Sequence, residues 1–189
     1  ESHAEGYLTI ASGMCSHAEG RNAKAEGTYS HAEGHLTTAS GEDSHAEGYY
    51  TIASGQYSHA EGRSAKAEGT QSHAEGYYTT ATGESSHAEG NQTTASSANQ
   101  HVQGKFNVID SSDEYADIVG NGTSNTKRSN AHTLDWSGNA WFAGDVYVGS
   151  TGGKNKDNGS KKLVTETEVD EKVNTKTAVT VKTWTSADV

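Results

Sequence analysis

The sequence contains no proline and only one cysteine, Cys15, in 189 residues. A single cysteine excludes an intrachain disulfide framework and leaves the redox compartment open. The absence of proline beside 22 glycines excludes the usual flexible-linker composition, which carries both. It suits a long hydrogen-bonded ladder instead, because proline has no backbone N–H to donate. Apolar residues are few, at 31%, and no run of them is long enough to span a bilayer. Positive charge is scarcer still. Only Arg21, Lys24, Arg63 and Lys66 precede Lys105, against thirteen acidic residues, a balance that disfavours DNA or RNA as a partner. Low apolar content with a net charge of −11 would by itself suggest disorder, so residue order has to decide.

That order is strict. Histidines recur every fourteen residues at His3, His17, His31, His45, His59, His73, His87 and His101. The first seven sit in an unbroken Ser-His-Ala-Glu-Gly motif, from Ser2–Gly6 to Ser86–Gly90, and the eighth copy has decayed to Gln100-His101-Val102-Gln103-Gly104. Such decay is expected where stacking ends. A related motif lies halfway between, as in Ile10-Ala11-Ser12-Gly13 and Lys24-Ala25-Glu26-Gly27. The unit is thus a heptad, and two heptads make one repeat. A third level also exists, because Arg21-Asn22-Ala23-Lys24 returns as Arg63-Ser64-Ala65-Lys66 after 42 residues.

A seven-residue period invites a coiled-coil reading, which fails. Each heptad carries a glycine, at roughly 1 kcal/mol per helical site, and most lack large apolar residues for a core seam. Strand and turn alternation fits better. In an extended Ser-His-Ala-Glu run, His and Glu share one face and Ala points to the other. Glycine is then expected to supply the tight turn, where positive φ is often needed. Two short strands and two turns close a fourteen-residue coil, and coils stack at about 4.8 Å into a flattened β-solenoid. So thin a roll cannot offset a backbone ordering cost of about 1–2 kcal/mol per residue from its own side chains, which points to association of identical copies.

The repeat over residues 1–104 resembles the heads of trimeric autotransporter adhesins of the YadA-like type, which repeat a Ser-Val-Ala-Ile-Gly-like motif every fourteen residues. Its Ser-His-Ala-Glu-Gly form is similar to repeats of phage and prophage tail proteins, with His in the valine slot and Glu in the isoleucine slot. The resemblance implies an all-β, left-handed parallel β-roll that assembles as a homotrimer.

The candidate structural ladder is His3, Glu5, His17, Glu19, His31, Glu33, His45, Glu47, His59, Glu61, His73, Glu75, His87 and Glu89. His beside Glu could also hold zinc or nickel. Its repetition in every coil favours hydrogen-bonded architecture over a local site, so neither metal nor cofactor is expected. The letters of a hydrolase triad are present too, but neighbouring strand residues face opposite ways, and no catalytic residue is assigned. Tyr7, Tyr49, Tyr50, Tyr77 and Tyr78 follow the motif glycines and form a candidate contact ridge for a glycan or protein, or else seal subunit contacts.

After Gly104 the texture changes. Short alternating runs such as Phe106–Asp110 and Ala131–Trp136, separated by Asn-Gly and Ser-Gly-Asn turns, predict a small β cap over 105–149, with Trp136, Trp141 and Phe142 as apolar anchors. Residues 150–162 read as a linker. Residues 163–189 read as a tail with a short helix at Leu163–Val173 and a strand at Thr175–Trp184. The chain opens in mid-repeat, as expected of a piece of a longer protein.

These readings lead to a non-enzymatic segment of a trimeric phage or prophage tail fibre that extends and presents a receptor-binding tip. The alternatives are a bacterial adhesin head that itself contacts a host glycan or protein, and part of an autoprocessing tail endopeptidase. The expected setting is extracellular, on a virion tail or a bacterial surface, without a membrane span.

Overall fold

The computed structural model describes residues 1–144 and the backbone of 147–148 and 161–162. Five-residue and two-residue strands alternate: β1 His3–Tyr7, β2 Ile10–Ala11, β3 His17–Arg21, β4 Lys24–Ala25, β5 His31–His35, β6 Thr38–Ala39, β7 His45–Tyr49, β8 Ile52–Ala53, β9 His59–Arg63, β10 Lys66–Ala67, β11 His73–Tyr77, β12 Thr80–Ala81, β13 His87–Asn91, β14 Thr94–Ala95 and β15 His101–Lys105. The long strands pair in parallel with one another, and so do the short ones. Register is fourteen residues throughout, so that His3 sits beside His17 and Ile10 beside Lys24. The result is a β-solenoid of eight coils with one wide and one narrow sheet, and the described residues contain no helix.

Strand alternation sends alanine inward. Ala18, Ala32, Ala46, Ala60, Ala74 and Ala88 from the wide sheet meet Ala25, Ala39, Ala53, Ala67, Ala81 and Ala95 from the narrow one, all fully buried. Only a methyl group fits between sheets this close, so the core is a double column of alanine. The motif serines also face inward. Ser16, Ser30, Ser44 and Ser58 each donate a hydrogen bond from Oγ to the carbonyl of the glycine three residues earlier, at 2.6–2.8 Å. That bond closes the turn and satisfies a buried hydroxyl.

The glycines meet part of the expectation, since the motif glycines have positive φ and those of the second motif open the turns, but close stacking is a further reason for both. Gly34 lies inside β5 with φ +112°, and a Cβ there would stand 2.3 Å from the Gly48 carbonyl oxygen. Gly41, in the other half of the coil, has no left-handed φ, yet its Cβ would lie 2.0 Å from the Gly55 oxygen. Both columns are glycine because neighbouring coils touch there. The tight corners belong to ordinary residues in the left-handed region, including Leu8, Asn22, Tyr50 and Tyr78 on one edge and Cys15, Tyr29, Asp43 and Tyr57 on the other. Each such residue costs roughly 1–2 kcal/mol. Its N–H compensates by donating to the preceding coil, as from Asn22 to the Tyr7 carbonyl and from Tyr29 to the Met14 carbonyl, both at 2.8 Å.

β16 Tyr115–Asn121 adds a ninth parallel rung beside β15, displaced by sixteen residues, and β17 Asn130–Asp135 and β18 Ala140–Phe142 extend the wide sheet antiparallel. The narrow sheet ends at β14, where side chains replace the missing rung. Asn107 Oδ1 accepts the Thr94 N–H at 2.8 Å and its Nδ2 donates to the Thr94 carbonyl at 3.0 Å. Gln100, standing where the motif has serine, accepts the Ser96 N–H at 3.0 Å and donates to Asp110 and to the Tyr115 carbonyl. The bulkier Val102 and Ile118 continue the alanine column.

The tryptophans do not anchor a cap core. Trp136, Trp141 and Phe142 are about half exposed, because β17 and β18 extend a single layer that nothing faces within the first compact unit, Glu1–Ala143. In the second unit, Gly144–Val189, β19 Tyr147–Val148 pairs antiparallel with β20 Lys161–Lys162, the last two residues of the stretch read as a linker. The helix and strand expected at 163–173 and 175–184 lie outside the described residues.

Candidate functional site

Two surfaces of the roll carry the chemistry that the sequence singles out. On the wide sheet, alternation places each His and Glu outward on one face, in register with their counterparts one coil away. The imidazoles form a continuous stack with centroids 4.6–5.1 Å apart, nearly parallel from His31 to His87. Each Nε2 in the first five coils lies 3.5–3.9 Å from its own coil's glutamate, too long for a hydrogen bond. In later coils the pairing shifts between coils, as in His101 to Glu89 at 3.4 Å. The Nε2 atoms of His17, His31, His45, His59, His73 and His87 are shielded from solvent and have no hydrogen-bond partner within the protomer.

Burial lowers the pKa of His45, His73 and His87, and the neighbouring histidines push in the same direction. The glutamates of neighbouring coils shift one another in alternating directions. Burial raises Glu75 to about 7, helped by hydrogen bonds with Glu61 and Glu89, and raises Glu47 as well. Glu61 between them is lowered by hydrogen bonds from Glu75 and Glu47. Along this column, a glutamate of lowered pKa thus sits between two of raised pKa.

Three groups, His31/Glu33/His45, His59/Glu61/His73 and His73/Glu75/His87, bring their donor atoms within 4.8 Å of one another. Their ring planes lie only 6–9° apart, so the in-plane lone pairs of stacked imidazoles run parallel and do not converge on one cation. The triad letters are separated too. Ser58 Oγ is buried and committed to the Gly55 carbonyl, while the adjacent His59 faces outward.

The second surface is the corner that follows β1, β3 and their successors. Tyr7, Tyr49 and Tyr77 end long strands, Tyr50 and Tyr78 occupy left-handed corner positions, and all five are exposed. Tyr49 packs edge-on against Tyr50 at 4.7 Å, and Tyr77 against Tyr78 at 4.6 Å. Arg21 lies over Tyr7 at 5.8 Å, and Arg63 lies between Tyr49 and Tyr77 at 5.6 and 5.4 Å. The opposite edge carries a second exposed pair, Tyr29 and Tyr57, which the sequence reading passed over although both share one column of the repeat. In the terminal sheet, an open cavity of about 460 Å³ lies beside Tyr115, Asp135 and Trp141. Asp135 is already engaged there, accepting the N–H groups of Ser137 and Asn139 at 2.9 and 2.8 Å.

No helix among the described residues is long and apolar enough to cross a membrane. No curated protein matches the chain. Residues 32–58 and 74–96 each match the family model of the YadA head domain repeat. Those two stretches of the solenoid are thus similar to YadA head repeats, with His and Glu outward at the center of each motif.

Proposed function

We propose that this chain is a non-enzymatic, extracellular rod segment that assembles as a homotrimer through its His/Glu face and displays its corners to the outside. The carrying observation is internal to the sequence. Across seven coils the corner columns vary, as in Tyr7, Arg21, His35 and Tyr49, whereas the outward His and Glu never change. A solvated surface position has no reason to be so uniform. A partner that treats every coil alike must share the coil's rise, and another copy of the same roll does so. The unpartnered, solvent-shielded Nε2 atoms lie on the same face and need partners from outside the protomer. The number three rests on the kinship with YadA heads.

Within this reading the segment serves a phage or prophage tail fibre as a rigid spacer behind a receptor-binding tip. The exposed tyrosine corner favours a second reading, an adhesin head that makes contact itself. Sedimentation equilibrium is the first test: a mass of three times 19.8 kDa supports the proposal, and a lone protomer overturns it. Immunogold labelling then separates the settings, marking particle tails in one case and bacterial envelopes in the other.

A further inference from the structure

We propose that the Tyr/Arg corner binds a linear acidic glycan of sparse charge, with one anionic group seated at Arg21 and the next at Arg63, and with Lys24 and Lys66 adding positive charge to the same two coils. The inference deepens the surface-contact reading. It does not depend on the number of protomers, because each protomer carries the whole corner.

The four cations are the only ones before Lys105, and they fall in two coils that share one pattern. In each, an arginine ends the long strand, a left-handed residue turns the corner, a buried alanine follows, and a lysine opens the short strand. None of the four is engaged in an ion pair or a side-chain hydrogen bond among the described residues, in a chain with an excess of carboxylates. Free cations concentrated at two points of an otherwise acidic rod define where an anion can sit.

The aromatic neighbours fix the arginines. Arg63 lies between the Tyr49 and Tyr77 rings, and Arg21 lies over Tyr7, with His35 following in the same column. A guanidinium held over ring faces keeps its N–H edge free, and that planar fork matches a carboxylate with two parallel hydrogen bonds. The exposed tyrosines supply apolar ring faces and hydroxyls, which suit the two-sided character of a sugar ring.

Spacing selects the ligand class. The basic coils are three coils apart, about 14 Å at the usual strand separation. A nucleic acid carries a phosphate about every 3.4 Å along each duplex strand and would hold many charges against the uncharged or acidic coils between. A polysaccharide with neutral sugars between its acidic ones does not. Self-association through this corner is disfavoured as well, since symmetry would bring like cations together.

The test is calorimetric titration of the full chain with four probes: hyaluronan oligosaccharides, polysialic acid, neutral dextran and oligo-dT. Hyaluronan is expected to bind and dextran not to, with affinity falling as salt rises. The double variant Arg21→Gln/Arg63→Gln is expected to lose about tenfold or more, the scale of one charged hydrogen bond removed. Arg63→Lys keeps the charge but not the fork and should recover only part of that loss. Unchanged melting of these exposed variants confirms that folding is intact. Absence of hyaluronan binding, equal binding of dextran, undiminished binding by the double variant, or tighter binding of the more densely charged polysialic acid or oligo-dT each overturns the proposal. A chain that sediments as a protomer yet binds hyaluronan would sink the trimer and leave this site standing.

Discussion

Alanine substitution of three glycines separates two reasons for glycine that sequence reading merges. Gly41→Ala tests contact alone, because its φ is ordinary but its Cβ would lie 2.0 Å from the Gly55 oxygen. Gly138→Ala tests backbone conformation alone, since φ is +88° with nothing within 4 Å. Gly34→Ala combines both, with φ +112° and an approach of 2.3 Å. Moving the Gly41 Cβ from 2.0 Å to the 3.4 Å at which ordinary contact begins requires neighbouring coils to part by about 1.4 Å. The hydrogen bonds donated to the Ala53 carbonyl by Ser40, at 2.9 Å, and Gly41, at 3.2 Å, would then stretch beyond bonding range. Two buried bonds broken this way cost about 2–5 kcal/mol. Gly138→Ala should cost only about 1–2 kcal/mol, the left-handed penalty for a side chain, and Gly34→Ala should exceed either. Urea unfolding followed by circular dichroism gives the three values. If Gly41→Ala unfolds at the wild-type midpoint, or no more easily than Gly138→Ala, direct stacking of coils on glycine is wrong.

The remaining expectations concern titration, the sheet end and the repeat itself. Folding lowers the pKa of His45, His73 and His87, so their contribution is intact above the unfolded value near 6.5 and is lost as pH falls from there through the lower folded values. Glu75 works in the opposite sense: raised to about 7, its ionisation opposes folding as pH rises from about 4.5 through 7. Glu75→Gln should therefore raise the melting temperature at pH 8 and leave it unchanged at pH 4, and equal melting at pH 8 would refute this. Asn107→Ala removes the side chain that completes the narrow sheet and should cost about 2–3 kcal/mol, read from urea midpoints, by orphaning the Thr94 N–H and carbonyl. Deleting residues 45–58, one full coil, joins Ser44 to His59 in register and should leave a folded, slightly less stable rod, whereas deleting 45–51 should not fold cooperatively.

The rung spacing and the two faces were legible because a fourteen-residue period admits one in-register stack, and strand alternation then fixes His and Glu outward and Ala inward. The corners were not legible. Leucine, tyrosine and cysteine show no local preference for left-handed φ, and the conformation is imposed by hydrogen bonds to the preceding coil, which no short window of sequence contains. Glycine was legible only in part for the same reason: positive φ and turn chemistry are local, while the contact of Gly34 with Gly48 is not. At the sheet end, Asn107 and Gln100 imitate a backbone rung with side-chain amides, a substitution without a pattern to search for. The tryptophans were read as core from residue type alone, although a core also needs a facing layer.

The missing proline now has a physical cause within the roll. Backbone N–H groups of strands, corners and turns alike are donated from coil to coil, so a residue without one would break the stack at almost any position. The same arithmetic explains a polar outer face. Cohesion along the rod comes from backbone bonds and alanine contact, so the His/Glu columns are released from holding the coil and can serve contact between protomers. A wide apolar stripe would make the unassembled chain prone to aggregation. A ladder of imidazole and carboxyl groups avoids that stripe, and it would make the proposed assembly depend on pH. If the proposed trimer forms through this face, it should dissociate below pH 6 with the coils still folded by circular dichroism, and a trimer that persists there would refute this division of labour.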